Sequence, residues 1–222
     1  LLYSMKEQDV YLDSNTFVDA PAGMPLLTGI VTPCLTALAP QCVAIGLLEN
    51  EEIALPLAEA TAEGAIAEAI RLSDGILYGE QALVIGYGRI GKALAWRLDA
   101  LGMEVIVLNR SDAGAELARD YGFIVGDWSQ LTAIAARSAY IFNTAPAPLL
   151  QRQQLQWLRQ DALVVDLAAK PGGTDFAAAA ELGVKAVLAG GLPGKYAPRY
   201  AGEVMADVYL DRLAFLLGKE EQ

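Results

Sequence analysis

The stretch "QALVIGYGRIGKAL", Gln81–Leu94, decides the fold because it has the pattern of a strand, a glycine turn and the start of a helix. Its glycines follow the spacing Gly86-x-Gly88-x-x-Gly91. The first permits a tight turn, the second lets backbone approach a pyrophosphate, and the third allows close packing of helix on strand. The stretch predicts dinucleotide binding, with a tight structural turn or a degenerate site as the alternative. The candidate cofactor-binding residues are Gly86, Tyr87, Gly88, Arg89, Ile90 and Gly91.

Similar apolar runs follow this stretch and are separated by helical patterns. The runs are "MEVIVLNR", "SAYIFNTA", "ALVVDLAAKPGG" and "VKAVLAGG", with a shorter one at "FIVGD". Helices are predicted over Arg89–Leu101, Ala113–Tyr121, Trp128–Arg137 and Thr174–Leu182. Near-continuous apolar strands that alternate with helices are typical of a parallel sheet covered on both faces. The predicted class is therefore α/β, a doubly wound parallel sheet of the Rossmann type.

The rest of the chain predicts a smaller second part and two long helices. We expect residues 1–55 to form a shortened N-terminal α/β portion, in which "QCVAIGLL" supplies a strand. A linking helix is predicted over 56–78, where apolar residues recur at helical spacing. The dinucleotide-binding domain is predicted over 79–198. Residues 199–222 are predicted to form a C-terminal helix that packs back on the N-terminal portion.

Composition excludes several classes of function. The net charge of −11 disfavours binding to nucleic acid or to an anionic membrane surface. Residues 20–48 contain no charged side chain, but prolines and threonines interrupt them, so no membrane span is expected. The chain has no histidine, which rules out histidine-based catalysis and histidine metal ligands. Its two cysteines, Cys34 and Cys42, are too few for a zinc site and are expected to be reduced in a cytoplasmic protein, with no metal bound.

The strand end "VLNRS" favours NADP over NAD. NAD sites usually carry an acidic residue here for the ribose 2′-hydroxyl. This chain instead has Asn109, Arg110 and Ser111, and an arginine can pair with a 2′-phosphate. The alternative is that Arg110 is a solvated charge. At the end of the run "SAYIFNTA", Thr144, Ala145 and Pro146 are predicted to lie beside the nicotinamide ribose, unless this loop binds no ligand.

Two further segments carry a resemblance to a known family. "VVDLAAKPGGTDF" and "GVKAVLAGGLPGKYAPRYAGEV" resemble segments of the dipicolinate synthase A-subunit family, as does "ATAEGAIAEAI" upstream. The resemblance covers roughly residues 47–217. It implies NADP-dependent oxidation of a dihydrodipicolinate-type precursor to pyridine-2,6-dicarboxylate during sporulation, in the mother-cell cytoplasm. It also implies a partner, the B subunit of the synthase; a homo-oligomer is expected as well. Family members carry a fuller N-terminal domain.

A small anionic heterocyclic dicarboxylate needs cations and N–H donors in an acidic protein. The Gly/Pro-rich stretch 187–204 is predicted to be a loop that crosses the cleft and presents Lys195. A lysine or tyrosine would accept the proton if nearby positive charge lowered its pKa. The candidate catalytic residues are Lys195 and Lys170, with solvated loop cations as the alternative. The candidate substrate-binding residues are Thr61, Glu63, Gly172, Gly173, Tyr196 and Arg199; the two glycines are expected to offer N–H groups, and Glu63 alternatively covers a helix surface.

Two other functions remain open at this stage. The chain would be a nucleotide-binding partner subunit if the catalytic groups lay on the B subunit. It would otherwise be a different NADP-dependent oxidoreductase of the hydroxyacid-dehydrogenase type. That architecture commonly uses a histidine, which this chain lacks.

Overall fold

The computed structural model describes residues 15–29 and 31–216. The strands are β1 Pro25–Thr28, β2 Val43–Gly46, β3 Gln81–Ile85, β4 Glu104–Leu108, β5 Ile124–Val125, β6 Tyr140–Asn143, β7 Leu163–Asp166 and β8 Lys185–Leu188. The helices are α1 Pro33–Leu38, α2 Glu51–Leu72, α3 Arg89–Ala100, α4 Asp112–Asp120, α5 Leu131–Ala135, α6 Arg152–Leu155, α7 Phe176–Leu182, α8 Leu192–Tyr196 and α9 Pro198–Leu216.

The main sheet confirms the predicted doubly wound α/β class. It has six strands in the order β5-β4-β3-β6-β7-β8, and every neighbouring pair is parallel. The strand order reverses between β3 and β6, so these two neighbouring strands mark the switch point at the carboxyl edge of the sheet. Ligands of open α/β sheets bind at this point.

Alternate residues of each strand enter two separate hydrophobic clusters. In β3, Ala82 and Val84 pack into one cluster with helices α2 and α3, whereas Leu83 and Ile85 pack into the other with α5, α6 and α7. All four side chains are fully buried. The period of two along a strand places successive side chains on opposite faces, and helices cover both faces. This is why the strands are apolar at nearly every position.

The chain divides into two compact units, at Ala54/Leu55 within α2 and at Val204/Met205 within α9. Leu55–Val204 contains the six-stranded sheet and most of α2. The other unit contains β1 and β2, which pair in parallel, and α1 between them. Thr32 caps α1 by accepting a hydrogen bond from the Leu35 N–H. No helix in the described part of the chain is long and apolar enough to cross a membrane.

The Gly/Pro-rich stretch after β8 is not the loop that its composition predicts. It forms α8 and the beginning of α9, which starts at Pro198. Proline is tolerated in the first turn of a helix because the N–H groups there need no partner within the helix. Pro193 and Pro198 both occupy first turns, so they begin helices instead of preventing them.

Candidate active site

The glycine-rich turn after β3 forms a cradle that a dinucleotide fits. Gly86 has φ +95°, and a Cβ atom there would collide with the Thr144 hydroxyl. A Cβ atom on Gly91 would lie 2.9 Å from the Gly86 carbonyl carbon and closer still to its oxygen. Contacts within the protein therefore leave no room for a side chain at Gly86 or Gly91. Gly88 is different: apart from its own chain neighbours, no described residue has an atom within 4 Å of the position of its Cβ, which leaves space for a ligand.

Helix α3 begins at this open glycine. Gly88 is its N-cap residue, and it has no side chain with which to cap the helix. The first intrahelical bond runs from the Lys92 N–H to the Gly88 carbonyl, at 2.9 Å. The N–H groups of the first turn can therefore bind an anion, which the helix dipole also favours. The geometry fits the pyrophosphate of a nicotinamide dinucleotide.

The residues predicted to contact the 2′-phosphate follow β4. Arg110 is exposed, so its guanidinium is accessible to a ligand. Ser111 caps α4, with its hydroxyl accepting a hydrogen bond from the Gly114 N–H at 3.2 Å. The Asn109 side chain is half-buried and bonded within the protein: it accepts from the Tyr87 N–H at 3.0 Å and donates to Ser111. Direct contact of Asn109 with the cofactor stays a prediction.

The loop predicted to lie beside the nicotinamide ribose adjoins the glycine-rich turn. The Thr144 hydroxyl donates to the Ile85 carbonyl at 2.9 Å, which fixes the loop next to Gly86. Ala145 is half-buried and Pro146 is exposed. The loops after β3 and β6 thus meet where the strand order reverses.

A buried polar network that the sequence did not reveal supports this loop and the next one. Asp166, at the end of β7, is fully buried and accepts hydrogen bonds from four groups. The donors are the Asn143 amide, the Thr174 hydroxyl and the N–H groups of Ala168 and Gly173, at 2.7 to 3.0 Å. A buried carboxylate needs such partners. Two polar residues that end neighbouring apolar strands, Asn143 and Asp166, were the signal available in the sequence.

This network corrects the role expected of two glycines. The Gly173 N–H donates to Asp166 at 2.8 Å, and the Gly172 N–H donates to the Ala169 carbonyl at 2.9 Å. Neither N–H is free to bind substrate. The two glycines instead provide shape: Gly172 has φ +90°, and a Cβ atom on Gly173 would lie 2.5 Å from the Asn143 amide nitrogen.

A cavity of about 580 Å³ lies at the carboxyl ends of β7 and β8. Lys170 is the charged residue among those that line it, and the lysine is exposed. The other lining residues are small or apolar: Leu167, Ala168, Ala169, Leu188, Gly190 and Gly191. The Lys170 loop packs against the loop after β6, since the position of a Cβ on Gly173 lies 3.1 Å from the Ala145 carbonyl oxygen. The cavity and the dinucleotide cradle therefore share one edge of the sheet.

Lys195 belongs to an ion-pair cluster on α2. Its ammonium group pairs with the carboxylate of Glu68, which also pairs with Arg71 at 2.5 Å. Glu68 is buried, with a side chain that is 4% exposed. Burial alone would raise the pKa of Glu68, but hydrogen bonds from Lys195, Arg71 and Tyr196 lower it to about 2. The sequence contained a signal: a carboxylate among alanines and isoleucines on one helix needs a cation.

A lysine accepts the proton only if its pKa is lowered, and the contacts of Lys195 have the opposite effect. The hydrogen bond to Glu68 raises the pKa of the Lys195 ammonium group. Its position follows from the packing of α8 on α2: a Cβ atom on Gly64 would lie 2.8 Å from Leu192 and 3.1 Å from the Tyr196 ring. Lys195 is thus a paired cation, and its catalytic role stays a prediction.

The remaining substrate-binding candidates make local contacts. The Thr61 hydroxyl donates to the Leu57 carbonyl within α2, at 2.6 Å. Glu63 is exposed and pairs with Arg97 of α3 at 3.3 Å. Arg199 pairs with Glu203 one turn along α9, at 2.8 Å. Their contact with a substrate stays a prediction.

Comparison with known proteins agrees with this arrangement. Residues 56–170 match the family described as D-isomer specific 2-hydroxyacid dehydrogenase, NAD binding domain. The A subunit of dipicolinate synthase from Bacillus subtilis is 34% identical over 96% of this chain and 72% of its own length. Shikimate dehydrogenase (NADP(+)) from Anaeromyxobacter dehalogenans is 35% identical over 48% of this chain and 41% of its own length.

Solved structures lead to the same family. The dipicolinate synthase A subunit from Bacillus halodurans superposes with a TM-score of 0.86 at 31% identity, covering 94% of this chain and 72% of that one. The Bacillus subtilis protein also gives a TM-score of 0.86, at 33% identity, covering 97% of this chain and 73% of that one. The dinucleotide cradle is thus found in a chain that shares sequence and fold with these proteins along nearly its whole length. The chain belongs to the family of dipicolinate synthase A subunits and is an NAD(P)-dependent oxidoreductase.

Proposed function

We propose that the protein oxidises a dihydrodipicolinate-type ring to pyridine-2,6-dicarboxylate with NADP, together with a B subunit. The observation that carries the proposal is the cavity of about 580 Å³ at the same edge of the sheet as the dinucleotide cradle, with Lys170 on its wall. The net charge of −11 repels anions in general, so a lysine at this edge would select where a carboxylate binds. The family name supplies the product, and the cavity supplies a place for the ring.

The reaction asks little of the protein beyond positioning. The ring loses a hydride from one carbon and a proton from its neighbour, and it becomes an aromatic pyridine; the bound dinucleotide supplies the hydride acceptor. The protein has to hold the ring and exclude alternatives. In our proposal Lys170 binds a ring carboxylate, and the small residues around it admit the flat ring. Lys195 keeps its proton in this scheme, and the proton that leaves the ring passes to water.

The test is an assay of the purified chain with NADP and freshly generated dihydrodipicolinate, followed by the appearance of pyridine-2,6-dicarboxylate, with and without the B subunit. We expect product, and we expect Lys170→Ala to raise the KM for the ring about tenfold while the dissociation constant for NADPH stays unchanged. Lys185→Ala is the control, since Lys185 is an exposed lysine at the opposite end of β8. No product with either subunit composition would refute the proposed reaction. Product only with the B subunit would assign the catalytic groups to that partner.

A second prediction concerns the choice of cofactor. Arg110→Ala should raise the dissociation constant for NADPH about tenfold and leave that for NADH nearly unchanged, because only NADPH carries the 2′-phosphate that the guanidinium would pair with. Arg119→Ala is the matched control, since Arg119 is an exposed arginine at the other end of α4. Equal changes for both dinucleotides would contradict the assignment of Arg110 to the 2′-phosphate.

The cellular setting follows from the family name alone. We propose that the protein works in the cytoplasm of the mother cell during sporulation, and that it forms homo-oligomers in addition to its contact with the B subunit.

A further inference from the structure

The Asn109 side chain joins the two turns that would bind the phosphates of the cofactor. Its Oδ1 accepts a hydrogen bond from the Tyr87 N–H in the glycine-rich turn, at 3.0 Å. Its Nδ2 donates to the carbonyl of Ser111 at 3.0 Å and to the Ser111 hydroxyl at 2.9 Å. Both amide hydrogens are therefore used. One side chain thus fixes the separation between the glycine-rich turn and the N-terminus of α4.

Gly114 in α4 leaves the room that this amide occupies. A Cβ atom at position 114 would lie 2.9 Å from Asn109 Cγ and nearer still to Nδ2, and it would lie 3.1 Å from the Ser111 hydroxyl. Glycine is unfavourable in a helix. Gly114 does not have a positive φ that would demand glycine. Space for the Asn109 amide is the remaining physical reason for a glycine at this place in the helix.

We infer that Asn109 and Gly114 form a positioning pair, which holds the glycine-rich turn and the Arg110–Ser111 turn at the separation the dinucleotide requires. This inference rests on the proposed cofactor site and changes the role predicted for Asn109 from ligand to positioning residue. A ligand of the 2′-phosphate would affect NADPH alone. A residue that positions the glycine-rich turn affects NADPH and NADH alike, because both carry the pyrophosphate that this turn approaches.

The experiment measures dissociation constants for NADPH and NADH by titration of the full chain, for Asn109→Ala, Gly114→Ala and the double variant. We expect each single substitution to weaken binding of both dinucleotides about tenfold, the cost of losing one well-placed set of hydrogen bonds. The double variant should bind no more weakly than Asn109→Ala, because the added methyl group enters the space that the amide leaves. Gly202→Ala is the control: Gly202 is also helical, and nothing in the described part of the chain lies within 4 Å of its Cβ position.

Three outcomes would overturn the inference. Weakened binding of NADPH alone in Asn109→Ala would make Asn109 a ligand of the 2′-phosphate. Wild-type affinity in Gly114→Ala would show that the methyl group does not disturb the amide. Effects that multiply to about a hundredfold in the double variant would show that the two residues act independently. If Gly114→Ala does not fold, the double variant still tests the inference, because the inference requires the double variant to fold and to bind both dinucleotides as Asn109→Ala does. Wild-type protein that binds neither dinucleotide would instead refute the proposed cofactor site.

Discussion

Replacing Gly91 with alanine is expected to lower the free energy of unfolding by about 3 kcal/mol and to abolish dinucleotide binding. The new Cβ atom would overlap the Gly86 carbonyl oxygen, and its carbonyl carbon would be only 2.9 Å away. Backbone on both sides has to move, because β3 and α3 hold the two glycines in place. Urea unfolding gives the first quantity, and titration with NADPH gives the second.

Gly88→Ala provides the matched control for Gly91→Ala. The φ of −80° at Gly88 suits any residue, and apart from the two chain neighbours no atom of residues 15–29 or 31–216 lies within 4 Å of the new methyl group. We expect its free energy of unfolding to change by less than about 0.5 kcal/mol, while its affinity for either dinucleotide falls about a hundredfold. The methyl group would occupy the space that the pyrophosphate needs. Wild-type affinity in Gly88→Ala would mean that the phosphates do not approach this residue.

The second large effect is expected from Glu68→Gln, which should lower the free energy of unfolding by about 3 kcal/mol at neutral pH. The figure follows from the pKa of Glu68, which burial would raise but which its cationic partners lower from 4.5 to about 2. A glutamine cannot pair with the ammonium group of Lys195 or the guanidinium of Arg71. The loss is assigned to the buried carboxylate, because both cations are about half-exposed and regain water when they are released.

The stabilisation by Glu68 is expected to decrease as the pH falls. Because the pKa of Glu68 is lower in the folded than in the unfolded protein, its contribution is fully present above pH 4.5 and is lost as the pH falls towards 2. Wild type and Glu68→Gln should therefore differ most at neutral pH and converge in acid. Glu203→Gln is the control: it removes an exposed pair with Arg199, which contributes at most about 0.5 kcal/mol. A constant difference between wild type and Glu68→Gln across this pH range would contradict the ionised pair.

The main sheet was predictable because each of its strands can be recognised from the residues of that strand and its immediate neighbours. Each is a short apolar run bounded by glycine or a polar residue, and the spacing of Gly86, Gly88 and Gly91 marks the turn between strand and helix. The high content of glycine and proline led to the wrong prediction of a loop at α8 and the start of α9, because proline can begin a helix as well as break one. A proline in the first turn is compatible with a helix and a proline in the interior breaks it, but amino-acid composition does not show which position the proline occupies.

The candidate site was only partly predictable. The glycine-rich turn is marked by its own glycine spacing and Arg110 by its place at the end of the next strand, so both could be proposed from the sequence. Lys195 was also a candidate, but its partner Glu68 lies far away in the chain and on another helix. The pKa of a lysine depends on such neighbours. The rise in the Lys195 pKa that Glu68 causes was therefore not predictable, because no property of the stretch around Lys195 indicates this partner.

By itself, the sequence determined the α/β class, the dinucleotide turn and the absence of histidine chemistry, since all three depend on residue type and short-range spacing. Only the tertiary structure decided which polar groups are already bonded within the protein. Asp166 uses the Gly173 N–H, Glu68 pairs with Lys195, and Asn109 bridges two turns. Partners of this kind are brought together by the packing of strands and helices. A buried polar group needs a hydrogen-bond partner, but the local sequence does not show which residue that partner is.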